Sequence, residues 1–498
     1  MLKKYIALLF VFFSFSVFAE NVTAQGLLPT ESSQKSASDP VVSQIDGATP
    51  SRLVFALAAP YTTITDSVSF AALADFWTHG YTSANALPTD QIYIPEESEA
   101  QLERVFQSAP SGSIKIASPA NLLSQVYQED AWAILPFEAL EPRYKVVQLD
   151  GQSPLSNTFD LNAWPLTAKT GGTPDMTEAD WRQIPAANRD PEKLTTLMLT
   201  GVTALVRGTA SYMDVWGPGY PATNIGDTLR AADILHVNNE VPFKTVCQQT
   251  AAELNQLRFC SKIAYFDLLT GIGTDVIELA GDHFQDFGDE AMVTTLALYQ
   301  ENGIPYYGGG KDLEEARKPL LFEHNQNRFA FIGCNAKEIG YSSATETSPG
   351  AAHCDFPYLI AQVKSLRAEG YLPIVTFQHI EYYNVSPNDQ MREDFNAVAE
   401  AGAVIVSGSQ SHIPMAFAIS ENAFIHYGLG NLFFDQAFFL QETSEATLDR
   451  HVFYAGRHIG TELLTIKFTN LALNRFMTES ERQGVLERIF KESIVSVE

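Results

Sequence analysis

Short apolar runs and longer periodic ones divide this chain into elements. Between 371 and 436, apolar runs at 374–377, 404–406 and 424–427 each lead into a polar turn carrying His, Gly or both. Runs of this length bounded by turn residues predict buried strands. Between the first two, Pro387 stands near the start of a segment and Gly402 just past its end. Its Met391, Phe395 and Val398 recur at i, i+4 and i+7, the spacing of one helix face. The expected order is strand, loop, helix, strand, loop, strand, with the chemistry at the strand ends. His379 follows the first strand, Gly-Ser-Gln-Ser-His at 408–412 the second, and Gly430, Asn431 and Asp435 the third. The carboxyl ends of strands are where open α/β sheets bind ligands.

Upstream, 53–58, 91–94, 131–135 and 144–149 read as strands. The segment 100–107 reads as a helix with Leu102, Val105 and Phe106 on one face. Residues 51–169 are therefore expected to form a small α/β domain. Its stretch from Asp130 through Trp132, Pro136 and Phe137 to Gly151 is weakly similar to a lobe of periplasmic solute-binding folds. It carries no chemical constellation, so a packing or docking role is expected, with a ligand-binding lobe as the alternative. Gly171, Gly172, Pro174, Pro185 and Pro191 mark 170–193 as a linker. A strand at 194–200 opens a second domain, 194–475, and 476–498 reads as a C-terminal helix or tail. There is no internal repeat.

The N-terminus changes the compartment. Lys3 and Lys4 precede an apolar run over 6–18 that ends in Val17-Phe18-Ala19, the pattern of a secretory signal peptide over 1–19 with cleavage near Ala19. The run is short for a membrane span, and no Cys follows it to carry a lipid. Residues 20–50, rich in Ser, Thr, Gln and Pro, read as a flexible linker. A periplasmic or secreted protein without a membrane span after cleavage is expected. Hydrophobic residues make up 45% and charged ones 18%, with a formal net charge of −27, which argues against nucleic acid or an anionic membrane as partner. The four cysteines fall in two local pairs, Cys247 with Cys260 and Cys334 with Cys354. Two disulfides are expected in an exported chain, with buried free thiols as the alternative.

The strand-end turns then acquire a common meaning. His379-Ile380-Glu381-Tyr382, Pro387-Asn388-Asp389-Gln390, the 408–412 turn and Tyr427-Gly428-Leu429-Gly430-Asn431-Leu432-Phe433-Phe434-Asp435-Gln436 follow one another in order. In this they resemble the bacterial capsule-synthesis CapA family (poly-γ-glutamate synthesis, metallophosphatase-like), and the likeness covers about 194–468. It implies an α/β fold: a calcineurin-like metallophosphatase-type layered sheet domain preceded by a smaller α/β domain. Asn238 and Glu240 match the family's strand end in Asn-Leu-Glu. His283, Asp286 and Gly288 match its Asn-Asn-His-x-x-Asp-x-Gly turn, with Gly281 and Asp282 in place of the two asparagines; Asp282 is still an oxygen donor.

The resemblance implies Asn238, Glu240, Asp282, His379 and His412 as ligands of a divalent metal ion. It implies His283 and His379 as catalytic residues, His283 as acid or phosphate contact. The plainer alternative for each is a side chain that closes a turn. Val202 stands at the family's Asp and Gln410 at one of its His positions, while Arg207 keeps the family's Arg. Valine cannot coordinate and an amide is a poor transition-metal ligand, so the set suits one ion better than two. Gly308-Gly309-Gly310 lacks the Lys-Ser/Thr of a P-loop. The expectation is an exported protein of capsule or poly-γ-glutamate-type synthesis, acting on an envelope polymer or its precursor as a metal-dependent hydrolase or transferase. The alternatives are a non-catalytic polymer-binding or export factor with a degenerate metal site, and a solute-binding protein.

Overall fold

The computed structural model describes residues 51–82, 87–170, 186–248, 257–340, 342–437 and 439–497. The signal peptide, the 20–50 linker and most of the 170–193 linker lie outside the described residues.

Two large sheets face each other. One runs in the order Tyr306–Tyr307, Val276–Glu278, Ile234–Asn239, Leu194–Thr203, Glu445–Tyr454, Arg457–Phe468, Asn474–Phe476. The other runs Leu320–His324, Asn327–Asn335, Leu372–Gln378, Ile405–Gly408, Phe424–His426, Phe417–Ile419, Ile494–Val495. Successive side chains on a strand point to opposite faces, and here both faces are covered. Leu197, Leu199, Ile234 and Val276 meet Phe329, Phe331, Ile374 and Ile405 in the layer between the sheets. Their neighbours Met198, Leu235, Val237 and Ile277 pack on the opposite face with Met213 of the helix Arg207–Trp216 and with Met292, Leu296 and Tyr299 of the helix Gly288–Glu301. Ala330, Ile332, Val375, Phe377 and Val406 do the same with the helices Phe356–Ala368 and Asp389–Glu400. Burial on both faces is why these strands read as continuous apolar runs.

A third sheet carries the N-terminal region in the order Ser67–Val68, Tyr144–Leu149, Arg52–Pro60, Trp132–Pro136, Ile92–Pro95, Ile114–Ala117, and Thr167–Lys169 pairs with its Arg52–Pro60 strand. Its core is completed from far along the chain by Val452, Tyr454 and Ile459 of the Glu445–Phe468 hairpin. Tyr454 Oη accepts from Asp190 N (2.9 Å) and donates to Asn188 O (3.0 Å). The helix Glu479–Glu492, started by a Thr478/Glu481 capping box, sets Arg482 against Asp66 at 2.6 Å.

The elements expected between 371 and 436 occur as the strands Leu372–Gln378, Ile405–Gly408 and Phe424–His426 and the helix Asp389–Glu400, which buries Met391, Phe395 and Val398. Asn388 caps that helix by accepting from Met391 N. Both expected disulfides form, Cys247–Cys260 and Cys334–Cys354, which fits an oxidising compartment. Among the described residues no helix is long and apolar enough to cross a membrane.

Candidate functional site

Strand parity decides which polar residues meet. On Ile234–Asn239 the inward set of Ile234 and His236 continues to Asn238 and, just past the strand, Glu240; His236 stacks on Phe331 of the facing sheet. On Leu372–Gln378 the inward set is Ile374, Thr376 and Gln378. Both rows reach the carboxyl edge of the gap between the sheets, and there they converge. Gln378 Nε2 lies 2.9 Å from Glu240 Oε1 and 3.0 Å from Asp282 Oδ1. Ser409 Oγ donates to Gln378 Oε1 at 2.7 Å, which fixes the amide's orientation. Asp282 reaches this point because Gly281 precedes it: a Cβ there would lie 2.5 Å from the Glu240 carbonyl oxygen, so only glycine lets the two chain segments touch.

Glu240, Asp282 and His283 form a group whose candidate ligand atoms all lie within 4.8 Å of one another. Glu240 is completely buried, and its Oε2 has no hydrogen-bond partner. Burial, then the negative charge of Asp282, pushes the Glu240 carboxyl up to about 8. Burial acts upward on Asp282 too, but His283 and Lys337 outweigh it and hold its carboxyl below the usual range. Lys337 Nζ is ion-paired with Asp282 Oδ2. His283 Nδ1 donates to Asp286 Oδ2 at 2.8 Å. Burial opposes the imidazolium, yet that bond and the charges of Glu240 and Asp282 lift it to about 9. Asp286 is held in turn by Phe259 N at 2.7 Å, and the Phe259 ring packs edge-on against His283. The guanidinium of Arg207 lies over Phe259 (4.7 Å) and Phe434 (5.5 Å) and feels Asp435, Glu240 and Glu381.

The other sequence-derived candidates stand around this group with different partners. Asn238 turns its Nδ2 to Glu278 Oε2, leaving Asn238 Oδ1 and Glu278 Oε1 buried without partners; burial raises Glu278 to about 7. His379 follows the outward parity of Phe377, so its ring packs on Phe395 and its Nε2 donates to Asp394 at 2.8 Å. Burial lowers its pKa. His412 donates from Nδ1 to Asn431 Oδ1 at 2.9 Å, and burial lowers it as well; Asp282, Glu381 and Lys337 are within its electrostatic reach. His412 and Arg207 both have positive φ, +55° and +51°, a conformation uncommon outside glycine and often found at functional sites.

Sequence reasoning missed Lys337 and Gln378. The signal for Gln378 was present: it continues the inward parity of Ile374 and Thr376 to the strand's last residue. Lys337 follows the strand end Asn335, whose Oδ1 accepts from Lys337 N at 2.9 Å, an Asx turn with no compositional mark.

The fold and site thus define a layered α/β protein with a carboxylate–imidazole–ammonium cluster where strands of two facing sheets end. Residues 188–436, half of the chain, match the family described as bacterial capsule synthesis protein PGA_cap. The chain belongs to that family. It is 24% identical over 292 residues to the capsule biosynthesis protein CapA of Bacillus anthracis, covering 58% of this chain and 70% of that one. It is 25% identical over 170 residues to the PGA biosynthesis protein CapA of Bacillus subtilis strain 168, covering 34% and 45%. Among solved structures, a phosphatase from Mycoplasma pneumoniae aligns over 55% of this chain and 94% of its own at 15% identity, with a TM-score of 0.35. A 5'-nucleotidase precursor from Thermus thermophilus aligns over 60% and 58% at 13% identity, with a TM-score of 0.33. At such scores neither adds to the layered arrangement described above.

Proposed function

We propose that this chain is an exported accessory protein of capsule or poly-γ-glutamate-type polymer synthesis, and that its site is a single-cation hydrolase or transferase centre acting on an anionic envelope polymer or precursor. The observation that carries this reading is the Glu240–Asp282–His283 group with the buried, unpartnered Glu240 Oε2. Two carboxylates and an imidazole are a fitting donor set for one divalent ion, whose binding would displace the protons that Glu240 and His283, raised to about 8 and about 9, hold at neutral pH. A bound ion would supply Lewis-acid activation of water and neutralise charge on the attacked group. The chain's own residues do the rest. Asp286 fixes the His283 ring through Nδ1, and Gln378 holds Glu240 and Asp282 at one spacing. Arg207 and Lys337 offer positive charge to an anionic group, which the chain's overall charge of −27 would otherwise repel. His412, with Nδ1 committed to Asn431, has only Nε2 left to exchange a proton.

A second reading, a non-catalytic polymer-binding factor, is favoured by one observation: Lys337 already neutralises Asp282. Elemental analysis of the mature protein, wild type beside Asp282→Asn, separates the two when combined with turnover of phosphodiester and poly-γ-glutamate amide substrates. About one ion per chain, lost with turnover in the variant, is expected for a carboxylate ligand. An ion-free, inert wild type whose Asp282→Asn variant still supports polymer synthesis in cells would overturn the catalytic reading.

A further inference from the structure

Both oxygens of Asp282 are taken, Oδ1 by Gln378 and Oδ2 by Lys337, and Glu240 Oε1 is taken by Gln378. One carboxylate oxygen of the pair, Glu240 Oε2, is left without a partner, and it is inaccessible to bulk water. A buried carboxylate oxygen in that state points to a cation. The second carboxylate already has one: the Lys337 ammonium, tethered at the end of Asn327–Asn335 and only 20% exposed. The base of that tether is covalently braced, since Cys334 is disulfide-bonded to Cys354. Lys337 also lies within electrostatic reach of Glu240 and Glu381. Glu381 is exposed, so the ammonium bridges the buried carboxylates and the solvent side.

We infer that Lys337 is a specificity-determining residue, a resident ammonium that holds Oδ2 of Asp282 against a second cation, leaves Oδ1 to the first, and so limits the centre to one divalent ion. The same ammonium then gives the anionic group of the substrate, carboxylate or phosphate, its point of attachment. This rests on the single-cation reading above. It makes the site respond in opposite directions to two ligands when one charge is removed. With Lys337→Gln, a divalent ion gains an unopposed Asp282 oxygen and an anion loses its ammonium.

The test is calorimetric titration of the full mature chain, wild type, Lys337→Gln, Lys337→Arg and Glu240→Gln, with Mn²⁺ alone and with inorganic phosphate alone. Lys337→Gln should bind Mn²⁺ at least about tenfold tighter and phosphate about tenfold weaker, the scale of one unit charge a few ångströms away in a partly buried site. Lys337→Arg keeps the charge and should stay close to wild type for both ligands. If Lys337→Gln weakens Mn²⁺ binding or leaves both affinities unchanged, the inference is wrong. Should Lys337→Gln fail to fold, Lys337→Met is read in its place, with a native circular dichroism spectrum required of the variant. Loss of Mn²⁺ binding in Glu240→Gln supports the single-cation reading beneath the inference. Mn²⁺ binding indifferent to Glu240 sinks that reading instead, and the phosphate titration still decides the role of Lys337 as an anion contact.

Discussion

Replacing His236 with Phe tests how the layer between the two sheets is held. The imidazole is buried, stacked on Phe331 with 6.2 Å between ring centroids and hydrogen-bonded through Nε2 to Tyr307 Oη at 2.7 Å; its Nδ1 has no partner. Burial holds its pKa down to about 3, against 6.5 for an exposed imidazole. Below pH 6.5 the unfolded chain therefore takes up a proton that the folded chain refuses. The His236 contribution is complete above pH 6.5 and is lost as pH falls towards 3. At pH 5 the gap is about 1.5 pH units, or about 2 kcal/mol. Phe keeps the ring against Phe331 and removes the titration. It also deletes one hydrogen bond, worth about 1 kcal/mol, although Tyr307 Oη retains Thr376 Oγ1 at 2.9 Å. Urea denaturation of both proteins at pH 7.5 and pH 5 should thus show a crossing. The variant should be about 1 kcal/mol less stable at the higher pH and about 1 kcal/mol more stable at the lower. The difference between the proteins is the quantity to read, because Glu278, raised to about 7, shifts both curves the opposite way. A gap that stays constant within about 0.5 kcal/mol would refute the argument.

Two further outcomes follow from packing. Gly201→Ala places a methyl 1.9 Å from the Gly430 carbonyl oxygen; forcing the Asn431–Phe433 strand away should cost about 3 kcal/mol, the upper range for overpacking, read as a lowered denaturation midpoint. Cys334→Ser with Cys354→Ser opens a loop with a sequence separation of 20 and should cost about 3 kcal/mol, with limited proteolysis expected first between the two positions.

The apolar runs and the helix face at Met391, Phe395 and Val398 were enough to order the elements from 371 to 436, because burial on both faces of a strand and one face of a helix leaves a local signature. The candidate site was legible as a set of strand ends: Glu240 and Asp282, named as ligands, and His283, named as acid or phosphate contact, lie within 4.8 Å of one another. What each side chain faces was less accessible. His379 and Gln378 are adjacent, yet parity sends Gln378 between the sheets and His379 to the helix-bound Asp394. Applying the alternation one residue further would have separated them. Lys337 lay beyond such reasoning, since its approach to Asp282 depends on how two non-adjacent turns meet. The same holds for the Glu445–Phe468 hairpin, whose polar inward residues, Asp449 and His451, hide a core strand behind charged and titratable letters.

The hairpin's share in the N-terminal core has a consequence for the order in which the molecule can be built. Tyr454 reaches back 266 residues to Asn188, and Arg482 reaches back 416 residues to Asp66. A chain emerging from the ribosome presents its first sheet long before Val452, Tyr454 and Ile459 exist to close it. Such distant closures make folding slow and leave apolar surface open until the last residues arrive. Loss of the Glu445–Phe468 hairpin would therefore harm the N-terminal sheet as much as the region around the hairpin itself.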